Sequence, residues 1–166
     1  MPAASRTSSE RSVSTPTPPD LAIEATGQPY LAIVLDERSH ATLGRLARCV
    51  LVIAHHMTVV YGSDRGADLP RRFNGADIGR DFELEVSRVV LRPDGHLQAA
   101  AVGLVLPDGR VVTDGISANV VPHVTVSLTS GFASAKDSNA LLESTPDRPA
   151  DRCSLRLRGR LEQVAG

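Results

Sequence analysis

Two tetrapeptides of the chain pair a histidine with a threonine at a spacing that suits chemistry. They are His56-Met57-Thr58-Val59 and His123-Val124-Thr125-Val126. Each lies in a run rich in β-branched residues, which favours a strand. On a strand, residues i and i+2 point to the same side, so each motif presents an imidazole beside a hydroxyl. Two such pairs that face one cleft would supply an acid, a base and two hydrogen-bond donors.

A single His-x-Thr sequence on a strand most often belongs to an ordinary structural residue with a hydrogen-bonded ring. The chain contains five histidines. Two such motifs, both in strand contexts and both followed by valine, would arise by chance at roughly a few per cent. The duplication therefore indicates a site, whereas either motif alone would not.

In this duplication the sequence resembles the two-histidine (2H) phosphoesterase superfamily, which includes LigT-like and cyclic nucleotide phosphodiesterase-like proteins. The signature of that family is two His-x-Thr/Ser motifs followed by hydrophobic residues, one in each of two similar lobes. The resemblance covers residues 30–142 in layout, and the motif positions carry it. It implies an α+β fold in which two antiparallel sheets with few flanking helices form two lobes. One His-x-Thr strand from each lobe would face a central cleft.

The resemblance also implies an activity. We expect a metal-independent phosphodiesterase that hydrolyses a 2′,3′-cyclic phosphate on a nucleotide or an RNA end, or a related cyclic or 2′–5′ phosphodiester, during RNA processing. His56 and His123 would be the general base and general acid, because an imidazole titrates near neutral pH. Thr58 and Thr125 would donate hydrogen bonds to the non-bridging oxygens, where negative charge builds up. No cofactor or metal is required, and the similarity of the two motifs leaves open which histidine is the base.

Residues after the first motif offer further contacts to a substrate. Tyr61 is one of few aromatic side chains, and Arg65 lies in a loop of Gly, Asp and Pro residues. Arginine commonly binds phosphate, and the ring of Tyr61 could stack on a base, so both residues are candidate substrate contacts. Packing in the core or a loop is, however, the commoner role of such a tyrosine. A solvated surface charge is nevertheless the commoner role of such an arginine. His55 is expected to point to the opposite face of the strand from His56 and to be structural.

Two other classes of function fit parts of the pattern. A metal site could use His55, His56 and His123 with a carboxylate such as Asp114. Against it, adjacent histidines on a strand diverge, and no His-x-His or Glu-x-x-His spacing is present. A non-catalytic module of the same fold could instead bind a cyclic nucleotide or an RNA end. The four intact motif residues do not suggest a loss of catalysis, but they do not prove turnover.

The net charge and the content of aromatic residues and cysteine limit which classes of partner the protein is expected to bind. The formal net charge is −1 and the pI is about 6.5, so no overall basic field attracts long nucleic acid or an anionic membrane. Aromatic residues make up 3% of the chain, which argues against an extended base-stacking surface. The two cysteines form no metal-binding or disulfide pattern, which favours a reducing cytoplasm. We expect a monomer that acts on a small nucleotide or an RNA 3′ end.

The elements that position the first motif are predicted from local patterns. Residues 1–28 are rich in Ser, Thr and Pro and predict a disordered tail, which leaves 29–166 as one domain. An apolar run predicts a strand at 30–35, and helical periodicity predicts a helix at 41–50. The first motif strand is expected at 52–61.

The second half of the chain has clearer turn signals between its predicted strands. Pro-Asp-Gly turns separate three strands of an antiparallel meander, which are predicted at 82–92, 97–106 and 111–113. The second motif strand is expected at 120–128, and Pro122 should lie at its edge, at a bulge or at its start. A short helix at 134–143 and an amphipathic final strand around 155–161 complete the domain, with the arginines of that strand on a solvated face.

Overall fold

The computed structural model describes residues 29–62 and 69–165. The predicted tail at 1–28 and Arg65 lie outside the described residues. The regular elements are, in chain order, β1 (Tyr30–Leu35), α1 (Glu37–Gly44), β2 (Leu51–Val52), β3 (His56–Tyr61), β4 (Asp81–Leu91), β5 (Leu97–Val105), β6 (Val111–Val112), β7 (His123–Leu128), α2 (Ser138–Ser144) and β8 (Arg152–Val164). Within these ranges, no helix has the length and apolar character needed to cross a membrane.

Six of the strands form a closed antiparallel barrel. Hydrogen-bonded neighbours follow the order β7-β3-β1-β8-β4-β5, and β5 pairs with β7 to close the ring. The short strands β2 and β6 add to β7 and β5. The two helices are short and flank this sheet. The α+β class and the antiparallel pairing are therefore confirmed.

The described strands do not form the two lobes, each with its own sheet, that the resemblance implies. The two motif strands, β3 and β7, are instead hydrogen-bonded neighbours in one sheet, with Met57 opposite Val124. The 13-residue strand β8 explains this difference, because it pairs with β1 along one part of its length and with β4 along another. This long strand joins the first half of the chain to the second in a single ring.

Side chains alternate between the inside and the outside of the barrel. The apolar residues of the motif strands belong to the interior core and are fully buried: Met57, Val59, Val124 and Val126. A second apolar cluster lies outside, where α2 packs on β5 and β7. The intervening polar residues of the motif strands therefore lie on the outer face.

The first helix is displaced from its predicted position at 41–50. The carboxylate of Asp36 accepts a hydrogen bond from the backbone amide of Ser39 at 2.7 Å, and this cap starts α1 at Glu37. The helix ends at Gly44. Beyond it, Val50 is 89% exposed, so the apolar spacing that predicted a longer helix does not form a buried stripe.

Most of the later elements are confirmed. The strands β4, β5 and β6 pair as an antiparallel meander, and β7 begins directly after Pro122. On β8, Arg156 pairs with Glu83 and Arg160 with Asp81, all on the solvated outer face. The helix predicted at 134–143 consists of a 3₁₀ turn followed by α2.

Candidate active site on the outer face of the barrel

The histidine and threonine of both motifs lie on the outer face of two adjacent strands. Met57 and Val124, which are paired, point into the barrel, so the residues on either side of them point outward. One step along this antiparallel ladder places Thr58 opposite His123. The other histidine and threonine lie on the far side of the Met57–Val124 pair. The structure thus brings the two motifs together on one surface.

The backbone orients His123. Its Nδ1 lies 2.7 Å from the carbonyl oxygen of Val121. A carbonyl can only accept, so Nδ1 carries the proton and donates it, which leaves Nε2 as the free ring nitrogen. The residue is 9% exposed. Burial lowers the pKa of His123, and the hydrogen bond to Val121 opposes that shift.

Helix α2 holds the hydroxyl of Thr125. Its Oγ1 lies 2.8 Å from Oγ of Ser138, where either hydroxyl can be the donor, and 3.4 Å from the carbonyl oxygen of Ala135. Thr125 and Ser138 are both buried. Because a hydroxyl has one proton, Thr125 can donate to a ligand only when Ser138 donates to Thr125.

Thr58 is held less firmly at its hydroxyl than at its backbone. Its Oγ1 lies 3.5 Å from the hydroxyl oxygen of Tyr61, at the limit of a hydrogen bond. The hydroxyl of Ser117 donates to the carbonyl oxygen of Thr58 at 2.8 Å, which fixes the strand. Tyr61 is 61% exposed. This predicted substrate contact therefore lies at the rim of the site, next to the Thr58 hydroxyl.

A backbone irregularity precedes His56. The register of β2 on β7 continues to Ala54, whose amide donates to the carbonyl oxygen of Thr125 at 2.9 Å. The next pair is Met57 opposite Val124, so three steps on one strand match one step on the other. Such a mismatch is a bulge. Ala54 has φ of 43°, a left-handed conformation that few non-glycine residues adopt. The predicted strand at 52–61 is thus interrupted between β2 and β3.

The prediction that His55 points to the opposite face from His56 is wrong. Nδ1 of His55 lies 3.2 Å from Nδ1 of His56, and the two rings meet edge to face with their centroids 5.5 Å apart. The bulge removes the strict alternation on which the prediction depended.

The metal hypothesis is affected in two ways. Adjacent histidines do converge here, so their divergence no longer argues against it. Among the residues that the structure describes, however, no group of three or more His, Cys, Asp or Glu side chains is placed to hold a metal ion. Asp114, the carboxylate considered for such a site, pairs with Arg71 instead.

The surroundings of His56 favour its neutral form. Burial, with smaller contributions from His55 and His123, lowers the pKa of His56 to about 4. Its ring also packs against Tyr30 of β1, with the centroids 5.4 Å apart. Burial and the neighbouring Tyr61 raise the pKa of the Tyr30 hydroxyl. His56 and Tyr30 are therefore both uncharged near pH 7.

Sequence reasoning missed Tyr30 and Ser138 at this site. Neither belongs to a motif, and each reaches the site through pairing or docking between distant segments. Arg65 is not among the described residues. Comparisons of the chain with models of known families, with curated proteins and with solved structures gave no match. Only the residues and their geometry therefore bear on what this site does.

Proposed function

We propose that the protein is a metal-independent phosphodiesterase of the two-histidine type. It hydrolyses a 2′,3′-cyclic phosphate on a nucleotide or an RNA end, or a related cyclic or 2′–5′ phosphodiester. The observation that carries the proposal is the presence of two histidines and two threonines on one outer face of β3 and β7. Hydrolysis of a phosphodiester needs a base, an acid and donors to the charged oxygens. Adjacent strands of one barrel can supply these groups without two separate lobes.

In this proposal His56 is the general base. Its low pKa keeps the ring neutral near pH 7, so that a ring nitrogen can accept a proton. The oxygen of a water molecule attacks phosphorus, and the water gives its proton to His56. One bond between phosphorus and a ribose oxygen breaks.

His123 is the general acid. Burial lowers the pKa of His123, and the hydrogen bond from Nδ1 to the carbonyl oxygen of Val121 opposes that shift. Because Nδ1 is held by this bond, the proton that passes to the departing oxygen comes from Nε2–H of the charged ring. A bound phosphodiester anion raises the pKa of both histidines, because an opposite charge stabilises an imidazolium. Exchange of protons with water then restores both rings.

Thr58 and Thr125 donate to the non-bridging oxygens. The hydroxyl of Thr58 needs to give up only a 3.5 Å contact to Tyr61. The hydroxyl of Thr125 keeps its contact to Ser138 as an acceptor and turns its own proton to the phosphate. A negative charge at that position favours this arrangement of protons.

The test is turnover of 2′,3′-cyclic nucleotides in the presence of a chelator. Wild type is compared with His56→Ala, His123→Ala and the control His96→Ala, whose ring stacks on Phe132 away from the site. We expect hydrolysis by wild type and by the control, and loss of hydrolysis in the two motif variants. If wild type is inert on these nucleotides and on RNA ends that carry the cyclic phosphate, the proposal is wrong.

A second candidate function is supported by the Thr125 hydroxyl. If it donates to Ser138 or to Ala135, it cannot stabilise charge that develops on a phosphate. The same site would then bind a cyclic nucleotide or an RNA end without hydrolysing it. Calorimetry with 2′,3′-cyclic nucleotides would detect binding with no product formed.

For either function we propose a monomer of the cytoplasm, with a nucleotide or an RNA end as its partner and no membrane partner. Cys49 and Cys153 are free thiols, which fits a reducing compartment. Size-exclusion chromatography coupled to light scattering would test the monomer.

A further inference from the structure

The contact between the rings of His55 and His56 has no part in the proposed reaction as described so far. We infer that His55 is a positioning residue: its Nδ1 accepts the Nδ1 proton of His56 and so keeps Nε2 of His56 unprotonated. The assignment of the shared proton to His56 rests on the proposed function, in which His56 is the base. The position of the proton can nevertheless be measured without turnover.

The fold builds this contact. Nδ1 of His55 lies 3.2 Å from Nδ1 of His56, which is within hydrogen-bond distance. The backbone on both sides is held, because the carbonyl of His55 accepts from the amide of Leu35 at 2.9 Å and the amide of Ala54 donates to β7. Consecutive side chains on a regular strand point to opposite faces. The bulge at Ala54, with its positive φ, accompanies the convergence of the two rings.

Proton counting selects one of two arrangements. A hydrogen bond between two Nδ1 atoms needs one proton, which belongs either to His56 or to His55. If it belongs to His55, neutral His56 carries its own proton on Nε2 and has no free nitrogen to act as a base. Once His56 were charged, two Nδ1 protons would also face each other. If the proton belongs to His56, Nε2 is free, and the same hydrogen bond persists when His56 becomes charged.

No other described group is placed to accept the Nδ1 proton of His56. Besides His55, the titratable neighbours are Tyr30 on β1, whose ring packs on that of His56, and His123 on β7. Tyr61 packs against Tyr30. Among the described residues, no carboxylate contributes to the pKa of His56. In many acid–base sites a carboxylate orients the histidine through its second nitrogen. Here the ring of His55 occupies the corresponding place.

Two substitutions separate positioning from simple packing. His55→Asn places an amide oxygen close to the position of Nδ1 and keeps an acceptor. His55→Phe keeps the ring and removes the acceptor. His55 is exposed, so both variants are expected to fold. His96→Asn is the control for the loss of a histidine ring outside the site.

The first measurement is the protonation of His56 by long-range ¹H–¹⁵N NMR of the imidazoles. We expect the proton on Nδ1 of neutral His56 in wild type and in His55→Asn, and a shift of the population towards Nε2–H in His55→Phe. A proton on Nε2 in wild type would overturn the inference. So would an unchanged tautomer in His55→Phe.

The second measurement is turnover of a 2′,3′-cyclic nucleotide across a range of pH. His55→Phe should lower kcat by about 10- to 100-fold with little change in KM, whereas His55→Asn should retain most of the activity. Equal activity of wild type and His55→Phe would contradict a positioning role. If every protein is inert, the proposed function fails, and the NMR measurement still decides where the proton lies.

Discussion

The two motifs have the same pattern but different surroundings. In the first, His56 follows a bulge and contacts the side chain of His55, and its threonine makes only a long contact. In the second, all six residues of β7 are buried, and His123 contacts a backbone carbonyl. A motif thus determines which groups are present, and the neighbouring segments determine where their protons lie.

This difference affects how each histidine is oriented. The carbonyl of Val121 can only accept, so the orientation of His123 has a fixed acceptor. His56 contacts a ring nitrogen instead, which can donate or accept according to where the protons of the two rings lie. The first motif is therefore the loose half of the site, and the second is the fixed half.

The largest expected effect is the loss of either histidine. His56→Ala and His123→Ala should each lower kcat/KM by about 10²- to 10⁴-fold, the usual contribution of one acid–base group. The double variant should lose little more than either single variant, because the two groups act as a unit. Steady-state kinetics with a 2′,3′-cyclic nucleotide measures this. Activity that survives in one single variant would show that only one motif takes part in catalysis.

Acid should destabilise the protein through His56. Its pKa is about 4 in the folded state and near 6.5 in the unfolded chain, so the folded state binds the proton more weakly. The stabilising effect of neutral His56 is complete above pH 6.5 and is lost as the pH falls towards 4. At about 1.4 kcal/mol per pKa unit, the loss is about 3 kcal/mol.

Urea denaturation near pH 7.5 and near pH 4.5 measures that loss. His56→Gln is the matched variant, because it keeps a polar side chain of similar length that does not titrate. We expect the free energy of unfolding to fall less in His56→Gln than in wild type over this range. Equal slopes would mean that the ring of His56 is as well solvated as in the unfolded chain.

Removal of the two threonine hydroxyls should differ in its effect on the free energy of unfolding. Thr125→Val leaves the buried hydroxyl of Ser138 without its partner, which should lower the free energy of unfolding by about 1–3 kcal/mol. Thr58→Val removes only a 3.5 Å contact and should cost less. Adding Ser138→Ala to Thr125→Val should restore part of the loss. Urea denaturation measures these losses. Equal losses of free energy of unfolding in Thr125→Val and Thr58→Val would remove the distinction between a fixed and a loose motif.

The regular parts of the fold could be predicted from the sequence. The alternation in β4 and β8 and the two Pro-Asp-Gly turns are local signals, and the structure follows them. The shared outward direction of His123 and Thr125 also follows from the period of a strand. These features need only neighbours in the chain.

Other features depend on segments that are distant in the chain. The pairing of β3 with β7 and the contact of Thr125 with Ser138 arise from barrel closure and from the docking of α2. The bulge at Ala54 carries no turn residue, so the run 52–61 has the pattern of one uninterrupted strand. The direction of His55 was predicted wrongly for this reason alone.

The smallest expected effect is at Ala54, and it tests whether the bulge is strained. Ala54→Gly relieves the left-handed conformation, which costs a non-glycine residue about 1–2 kcal/mol, but it also loses a buried methyl group worth about 0.8 kcal/mol. The two terms offset each other, so the free energy of unfolding should change by less than about 1 kcal/mol. Ala100→Gly, at a fully buried position of β5 with regular pairing, has only the loss and should cost more. Equal costs in urea denaturation would show that the backbone before His56 is relaxed, and the two motifs would then differ only in the groups that their histidines contact.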